Sequence, residues 1–180
     1  MLLARSRPQR TSGATRRLKS AFAPANYFDG SPSTMTLPHP FRTLLLSLID
    51  EQAEFLIVGG YAVIAHGYPR STFDLDIWVR PEPENARAVM RAAASAGVDL
   101  PADAVLRLQT EKQVLRLGKQ PTQVDLVTTI DGCTWSEAYS RREVINFDGI
   151  DLPFIGIADL RQAKRAVGRH RDLDDLEHLS

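Results

Sequence analysis

Apolar positions along the chain alternate between the spacing of a helix and that of a strand. Intervals of three and four residues recur within 39–53, which predicts an amphipathic helix there. Short apolar runs and alternating apolar residues predict strands instead. The whole pattern predicts helices at 39–53, 61–67, 83–97, 157–167 and 173–179, and strands at 55–59, 72–79, 113–118 and 122–129, followed by a hairpin at 144–155 around Asp148 and Gly149.

The order of these elements predicts the fold class. Helices separate the early strands, whereas the later strands follow one another in hairpins. This combination favours an α/β (α+β) fold, with a mixed β-sheet and helices packed on it. We expect the ordered domain to span residues 35–180.

Charge separates the first part of the chain from the rest. Residues 1–34 contain six basic side chains and one acidic side chain, a net charge of +5, so that the remainder carries −5. This segment is rich in Ser, Thr, Pro and Gly and has no apolar period, which predicts a disordered basic extension. A transit peptide or a nucleic-acid-binding arm is an alternative, and Met35 is a candidate for the natural start.

Composition excludes several classes of protein. The chain has 180 residues, of which 43% are hydrophobic and 24% charged, and this is typical of one water-soluble domain. Its single cysteine, Cys133, excludes an internal disulfide and fits a reducing cytoplasm. The longest apolar runs are shorter than the roughly 20 residues that a membrane helix needs.

Two aspartates interrupt the apolar strand predicted at 72–79. Side chains alternate between the faces of a strand, so Asp74 and Asp76 should point the same way while Leu75 and Ile77 enter the core. Two carboxylates on one face repel each other unless a cation lies between them, and Mg²⁺ prefers such oxygen ligands. Asp125 lies in a later apolar strand and could complete a site for two metal ions.

A pair of glycines lies between the first predicted strand and the helix after it. Gly59 and Gly60 allow unusual backbone angles and close approach of a ligand. Backbone N–H groups at such a turn can bind phosphate. Neither the glycine pair nor the Asp-Leu-Asp motif is specific alone, but their order along the chain is.

This order of motifs resembles the nucleotidyltransferase superfamily of DNA polymerase beta type. The residues that carry the resemblance are VGG at 58–60, DLD at 74–76 and VDLV at 124–127. LIVGGYAVIAHGYPRSTFDLDIWV, together with IADLRQAKRAVGRHRDLDDLEHL near the end, is similar to the minimal nucleotidyltransferases of bacterial toxin-antitoxin and abortive-infection (AbiEii-like) operons. The resemblance covers about residues 38–179, and it implies a nucleotidyltransferase-like sheet, a polymerase beta-type palm.

The resemblance also implies an activity, which is transfer of a nucleoside monophosphate from an NTP to an acceptor with release of pyrophosphate. It implies two Mg²⁺ ions, which Mn²⁺ can replace, a tRNA or protein acceptor, and a cognate toxin or antitoxin partner. The residues that it places in the site are Asp74, Asp76 and Asp125 for metal, Gly59 and Gly60 for the triphosphate, and Lys164 and Asp172 in the last two helices.

Several of these residues are also compatible with purely structural roles. Lys164 is as compatible with a solvated helix position as with a phosphate contact, and Asp172 better fits a helix N-cap. Arg70 and Thr72 could contact phosphate, and Trp78 could line the nucleotide pocket or pack in the core. The acceptor could also be a small hydroxylated molecule, as in antibiotic-modifying relatives, or the chain could be a noncatalytic, antitoxin-like subunit.

Overall fold

Six strands pair into one mixed β-sheet in the computed structural model, which describes residues 36–179. The expected basic extension, residues 1–34, lies outside the described residues. The helices and strands in chain order are α1 (His39–Asp50), β1 (Phe55–Val58), α2 (Gly59–Ala65), β2 (Asp74–Val79), α3 (Pro83–Ser95), α4 (Ala104–Leu108), β3 (Val114–Leu117), β4 (Gln123–Val127), α5 (Trp135–Ser140), β5 (Glu143–Phe147), β6 (Ile150–Phe154), α6 (Ile157–Val167) and α7 (His170–His178).

The strand order in the sheet is β3-β4-β2-β1-β6-β5. β2 runs parallel to β4 and antiparallel to β1, and β1 runs parallel to β6. The two edge strands, β3 and β5, pair antiparallel with their neighbours. This arrangement confirms the predicted mixed sheet with helices packed on it.

The core consists of the strand residues that the apolar pattern singled out. All four residues of β1 are buried, and Leu75 and Ile77 of β2 are completely inaccessible to solvent. Trp78 is only 1% exposed and packs edge-on against Trp135, with ring centroids 5.2 Å apart. Trp78 is therefore a core residue, and the alternative that it lines a ligand pocket is wrong.

The amphipathic helix α1 buries the face that its spacing predicts. Phe41, Leu44, Leu45 and Leu48 pack inside, while Ile49 stays 39% exposed at the border of that face. None of the helices within residues 36–179 is long and apolar enough to cross a bilayer.

The hairpin turn between β5 and β6 also follows its sequence. Asp148 and Gly149 both adopt positive φ angles, 53° and 75°, as a two-residue turn of the mirror-image type requires.

The end of the chain differs from the prediction. α6 ends as predicted, since Gly168 takes the left-handed conformation with φ of 64°. The chain then re-enters a helix at once, with Arg169 at the N-cap, so α7 begins at His170 instead of residue 173. Asp172 is consequently the third residue of this helix and not its N-cap.

The short helix α4 was not predicted, because five residues contain too little periodicity to recognise.

Candidate active site

The pairing of β2 with β4 brings the three aspartates onto one face of the sheet. Asp76 lies directly opposite Asp125 in this parallel pair, and Asp74 precedes Asp76 by two residues on the same side. Asp125 is buried, and the other two are half-buried. Three carboxylates therefore share a small region where water screens their charges incompletely.

Gly59 is required at its position for two independent reasons. Its φ angle is +62°, which side chains with a Cβ rarely adopt, and a Cβ there would lie 2.0 Å from Oδ2 of Asp76. The first residue of α2 therefore lies so close to the Asp76 carboxylate that no side chain fits between them.

Gly60 allows two side chains to pack closely over the backbone. A Cβ there would lie 2.4 Å from Oγ1 of Thr72 and 3.2 Å from an Arg70 nitrogen. Gly60 is buried under these two side chains, so the space that it leaves is filled by the protein itself. Thr72 in turn directs its hydroxyl to Oδ1 of Asp74 at 3.2 Å, which orients that carboxylate.

The crowding of negative charge changes the protonation of the site. Burial, followed by the charges of Asp74 and Asp125, raises the pKa of Asp76 from 3.8 to about 6, although Lys164 and Arg70 oppose the shift. Burial and the charge of Asp74 also raise the pKa of Tyr61 to about 12. The site therefore resists accumulating further negative charge unless a cation enters.

Asp125 already has a cationic partner within the chain. Arg116 of β3 donates from Nε to Oδ1 and from a terminal nitrogen to Oδ2, both at 3.1 Å. Gln123 donates a third hydrogen bond to Oδ1, also at 3.1 Å. The hydrogen bond with Asp125 and the charge of its carboxylate raise the pKa of the Arg116 guanidinium.

Two further cations, Arg70 and Lys164, lie near the three aspartates, and the buried acid Asp175 pairs with both. Asp175 of α7 is completely buried, with Oδ1 2.7 Å from Nε of Arg70 and Oδ2 2.6 Å from Nζ of Lys164. Lys164 is itself only 6% exposed and also contacts Oδ1 of Asp172 at 3.1 Å. The interpretation of Lys164 as a solvated surface lysine is therefore wrong for the folded chain.

The loop that leads into β2 is fastened to α7 at several further points. Tyr68 donates a hydrogen bond to Asp174 and stacks on the His178 ring, with centroids 4.1 Å apart. Arg171 donates to the backbone carbonyl of Ser71. These contacts hold the last helix against the loop that positions Arg70 and the first aspartate.

A small open cleft of about 180 Å³ lies beside this site. Gly59, Asp76 and Lys164 line it, and Arg169 and Asp172 also contribute to its wall. The remaining surface is apolar and belongs to Val58, Val127, Ile130, Ile155, Leu160, Ala163 and Val167. An apolar wall with a few polar groups is typical of small-molecule sites.

The donor set suits a hard divalent cation only in part. Asp74 and Asp76 offer oxygen ligands of the kind that Mg²⁺ prefers, on one face of the sheet. Asp125 instead has its oxygens engaged by Arg116. In the described range, no group of three or more His, Cys, Asp or Glu side chains is arranged to hold a metal ion.

Two other polar residues have structural roles. His66 interacts through Nε2 with the backbone oxygen of Ile155 at 2.7 Å. Cys133 directs its thiol to the Asp159 carbonyl, and burial raises the pKa of that thiol.

Sequence reasoning did not identify Asp175 or Arg116. A sequence signal for Asp175 exists, since positions 175, 176 and 179 share one face of a helix and Leu176 and Leu179 make that face apolar. The pairing of Arg116 with Asp125 could not be predicted from the sequence, because it depends on how β3 aligns with β4 across a connection of five residues.

Comparisons with known proteins agree on the fold. No family model and no curated protein matches the chain. A Thermotoga maritima protein, TM1012, assigned but not demonstrated as a nucleotidyltransferase, superposes with a TM-score of 0.54 and 18% identity over 81% of this chain and 95% of its own. The lincomycin-bound lincosamide antibiotic adenylyltransferase LnuA superposes with a TM-score of 0.50 and 12% identity, over 81% and 99%. The sheet and its helices thus form a nucleotidyltransferase-like fold.

Proposed function

We propose that this chain is a divalent-metal-dependent nucleotidyltransferase, which moves a nucleoside monophosphate from an NTP to an acceptor and releases pyrophosphate. One observation carries the proposal. The β2–β4 register sets Asp76 beside Asp125, while Gly59 brings the backbone against the Asp76 carboxylate in the wall of an open cleft. The superposition on two proteins of this fold supports the proposal.

The residues divide into those that hold the cation and those that face phosphate. Asp74 and Asp76 would hold Mg²⁺, or Mn²⁺ in its place, since magnesium is commonly bound by one or two carboxylates together with substrate phosphates. When bound, the ion would neutralise phosphate charge and orient the triphosphate. Gly59 would leave the backbone accessible to the triphosphate, whereas Gly60, which the sequence also assigned to the triphosphate, is covered by Thr72 and Arg70. Thr72 would keep Asp74 in position.

Lys164 and Arg70 are the cations available for the triphosphate. Each is held by Asp175, so both are already positioned near the carboxylates before a ligand arrives. Asp172 contacts Lys164 and lines the same cleft, and it would therefore fix the lysine. Reactions of this type depend mainly on positioning and charge neutralisation, so these few side chains suffice.

The reaction has a simple balance. The acceptor hydroxyl oxygen forms a bond to the α-phosphorus, the bond from that phosphorus to the pyrophosphate oxygen breaks, and the hydroxyl proton passes to Asp125 or to water. The nucleoside would lie in the apolar part of the cleft, which Ile130 and Val167 help to line.

The acceptor is the part of the proposal with two candidates. Exposed basic residues at the end of α6 and the start of α7 favour a tRNA or a protein with negative charge, and these are Arg165, Arg169, His170 and Arg171. A small hydroxylated molecule is the second candidate, because the superposition on the antibiotic adenylyltransferase extends over 99% of that protein. A cognate toxin or antitoxin partner belongs to the first candidate.

Transfer assays test the proposal directly. The protein is incubated with Mg²⁺ and each α-labelled NTP in turn, with total RNA, protein or small hydroxylated compounds as acceptor. We expect label transfer and pyrophosphate release with at least one acceptor class, and loss of both in Asp76→Asn. Asp131→Asn, which removes an exposed acid, is the matched control. If the protein binds an NTP but transfers label to none of the three acceptor classes, the result would instead favour a noncatalytic, nucleotide-binding subunit.

A further inference from the structure

We propose that Arg116 acts as a resident cation of the carboxylate cluster, so that the chain binds one divalent ion, at Asp74 and Asp76, and not two. This inference rests on the proposed function and concerns the metal content of the same site. It replaces the expectation, drawn from the sequence, that three acids hold two ions.

The hydrogen bonds on Asp125 leave little room for a metal. Arg116 binds both carboxylate oxygens at 3.1 Å, and Gln123 adds a third donor on Oδ1. A carboxylate has about four acceptor positions, so three of them are already filled. A divalent ion could use Asp125 only through the one remaining position on Oδ2, directly beside the Arg116 guanidinium, or by displacing one or both of these side chains.

The position of Arg116 is determined by the sheet and not by a chance surface contact. Arg116 lies directly opposite Asp125 in the antiparallel β3–β4 pair. Its neighbours Leu115 and Leu117 are 1% and 6% exposed, and they anchor the strand in the core on the other face. A slip of one residue would expose both leucines, so the guanidinium is kept on the carboxylate face.

The charges of the site are consistent with a single ion. The three aspartates together carry three negative charges when ionised, Arg116 neutralises one of them, and one divalent ion neutralises the other two. Arginine stays protonated at any ordinary pH, so its charge persists when a metal approaches. A second divalent ion would therefore meet a fixed positive charge beside Asp125.

The described residues offer no other set of three ligands that could replace Asp125 as a metal ligand. Among residues 36–179, no group of three or more His, Cys, Asp or Glu side chains is arranged to hold a metal ion. The nearby acids Asp172 and Asp175 are engaged with Lys164, and Asp175 also with Arg70. Asp74 and Asp76 remain as the pair of carboxylates available to one ion.

Counting bound Mn²⁺ tests the inference without any measurement of activity. Electron paramagnetic resonance and equilibrium dialysis measure how many Mn²⁺ ions the full chain binds, and anomalous scattering from crystals soaked in Mn²⁺ locates them. We expect one ion per chain in the wild type, between Asp74 and Asp76, with the Arg116–Asp125 pair intact. Arg116→Ala should bind two ions, because Asp125 becomes available.

Two further variants separate charge from geometry. Arg116→Gln keeps most of the side-chain length without the charge and should also bind two ions, whereas Lys119→Ala removes an exposed cation from the β3–β4 connection and should still bind one. Arg116 has 64% of its side chain exposed, so both of its variants should fold.

Three results would overturn the inference. Two Mn²⁺ ions in the wild type, with Arg116 displaced from Asp125, would show that the guanidinium does not compete. One ion in both the wild type and Arg116→Ala would show that Asp125 is not a ligand for another reason. If Asp76→Asn does not reduce the number of bound Mn²⁺ ions, the proposed metal-dependent function is overturned as well. If the wild type binds two ions and still transfers nucleotides, only the role of Arg116 is overturned.

Discussion

Replacement of Asp76 by asparagine should stabilise the metal-free protein at neutral pH, and the gain should fade in acid. The pKa of Asp76 is raised from 3.8 to about 6, mainly by burial and then by the charges of Asp74 and Asp125. A shift of this size corresponds to about 3 kcal/mol of folding free energy that the ionised carboxylate removes.

The direction of the pH dependence follows from proton binding. In the unfolded chain the carboxyl loses its proton near pH 3.8, whereas in the folded chain it keeps the proton until about pH 6. Between these values the folded state binds more protons, so the wild type loses stability as the pH rises through this window. Asparagine does not ionise and lacks this dependence.

The assay should compare pH values and not absolute stabilities. The asparagine amide must also be desolvated, which costs about 1–3 kcal/mol at every pH and offsets part of the gain. Urea unfolding with a chelator present, at about pH 4.5 and about pH 8, removes this constant term. The free energy of unfolding of the variant relative to the wild type should rise by about 2 kcal/mol between the two pH values.

Metal provides a second measurement on the same two proteins. Mg²⁺ should stabilise the wild type at about pH 8, since it binds only the folded state, and it should stabilise Asp76→Asn much less. Asp131→Asn, which changes an exposed acid, should behave like the wild type in both measurements. The same pH dependence in wild type and Asp76→Asn, within about 0.5 kcal/mol, would refute the electrostatic reasoning.

Two other substitutions test the frame of the site. Asp175→Ala should lower the free energy of unfolding by about 3–5 kcal/mol in urea titrations, because it removes the completely buried carboxylate that pairs with Arg70 and Lys164 and leaves Lys164 with Asp172 alone. Asp174→Ala on the exposed side should change it by less than about 1 kcal/mol. In thermal unfolding, Gly59→Ala should lower the stability more than Gly67→Ala does. Both positions have positive φ, but only at position 59 does the new methyl group lie against Asp76. Equal losses of stability would show that this contact relaxes freely.

The sequence was sufficient for the parts of the structure that depend on local geometry. The period of two in a strand places Asp74 and Asp76 on one face whatever the partner strands are, and the residues of β1 are buried as a continuous apolar run predicts. The glycine at position 168 ends α6 because of its own backbone conformation. Each of these features is determined within a few neighbouring residues.

The tertiary structure decided which of these pieces meet. The position of β4 beside β2, and the register that sets Asp76 opposite Asp125, depend on core packing among strands far apart in the chain. The same non-local packing places Arg116 on Asp125 and buries Asp175 between two cations. A local pattern can show that a residue faces inward, but the charge that it meets there is supplied by another element, and only the assembled sheet and helices determine which one.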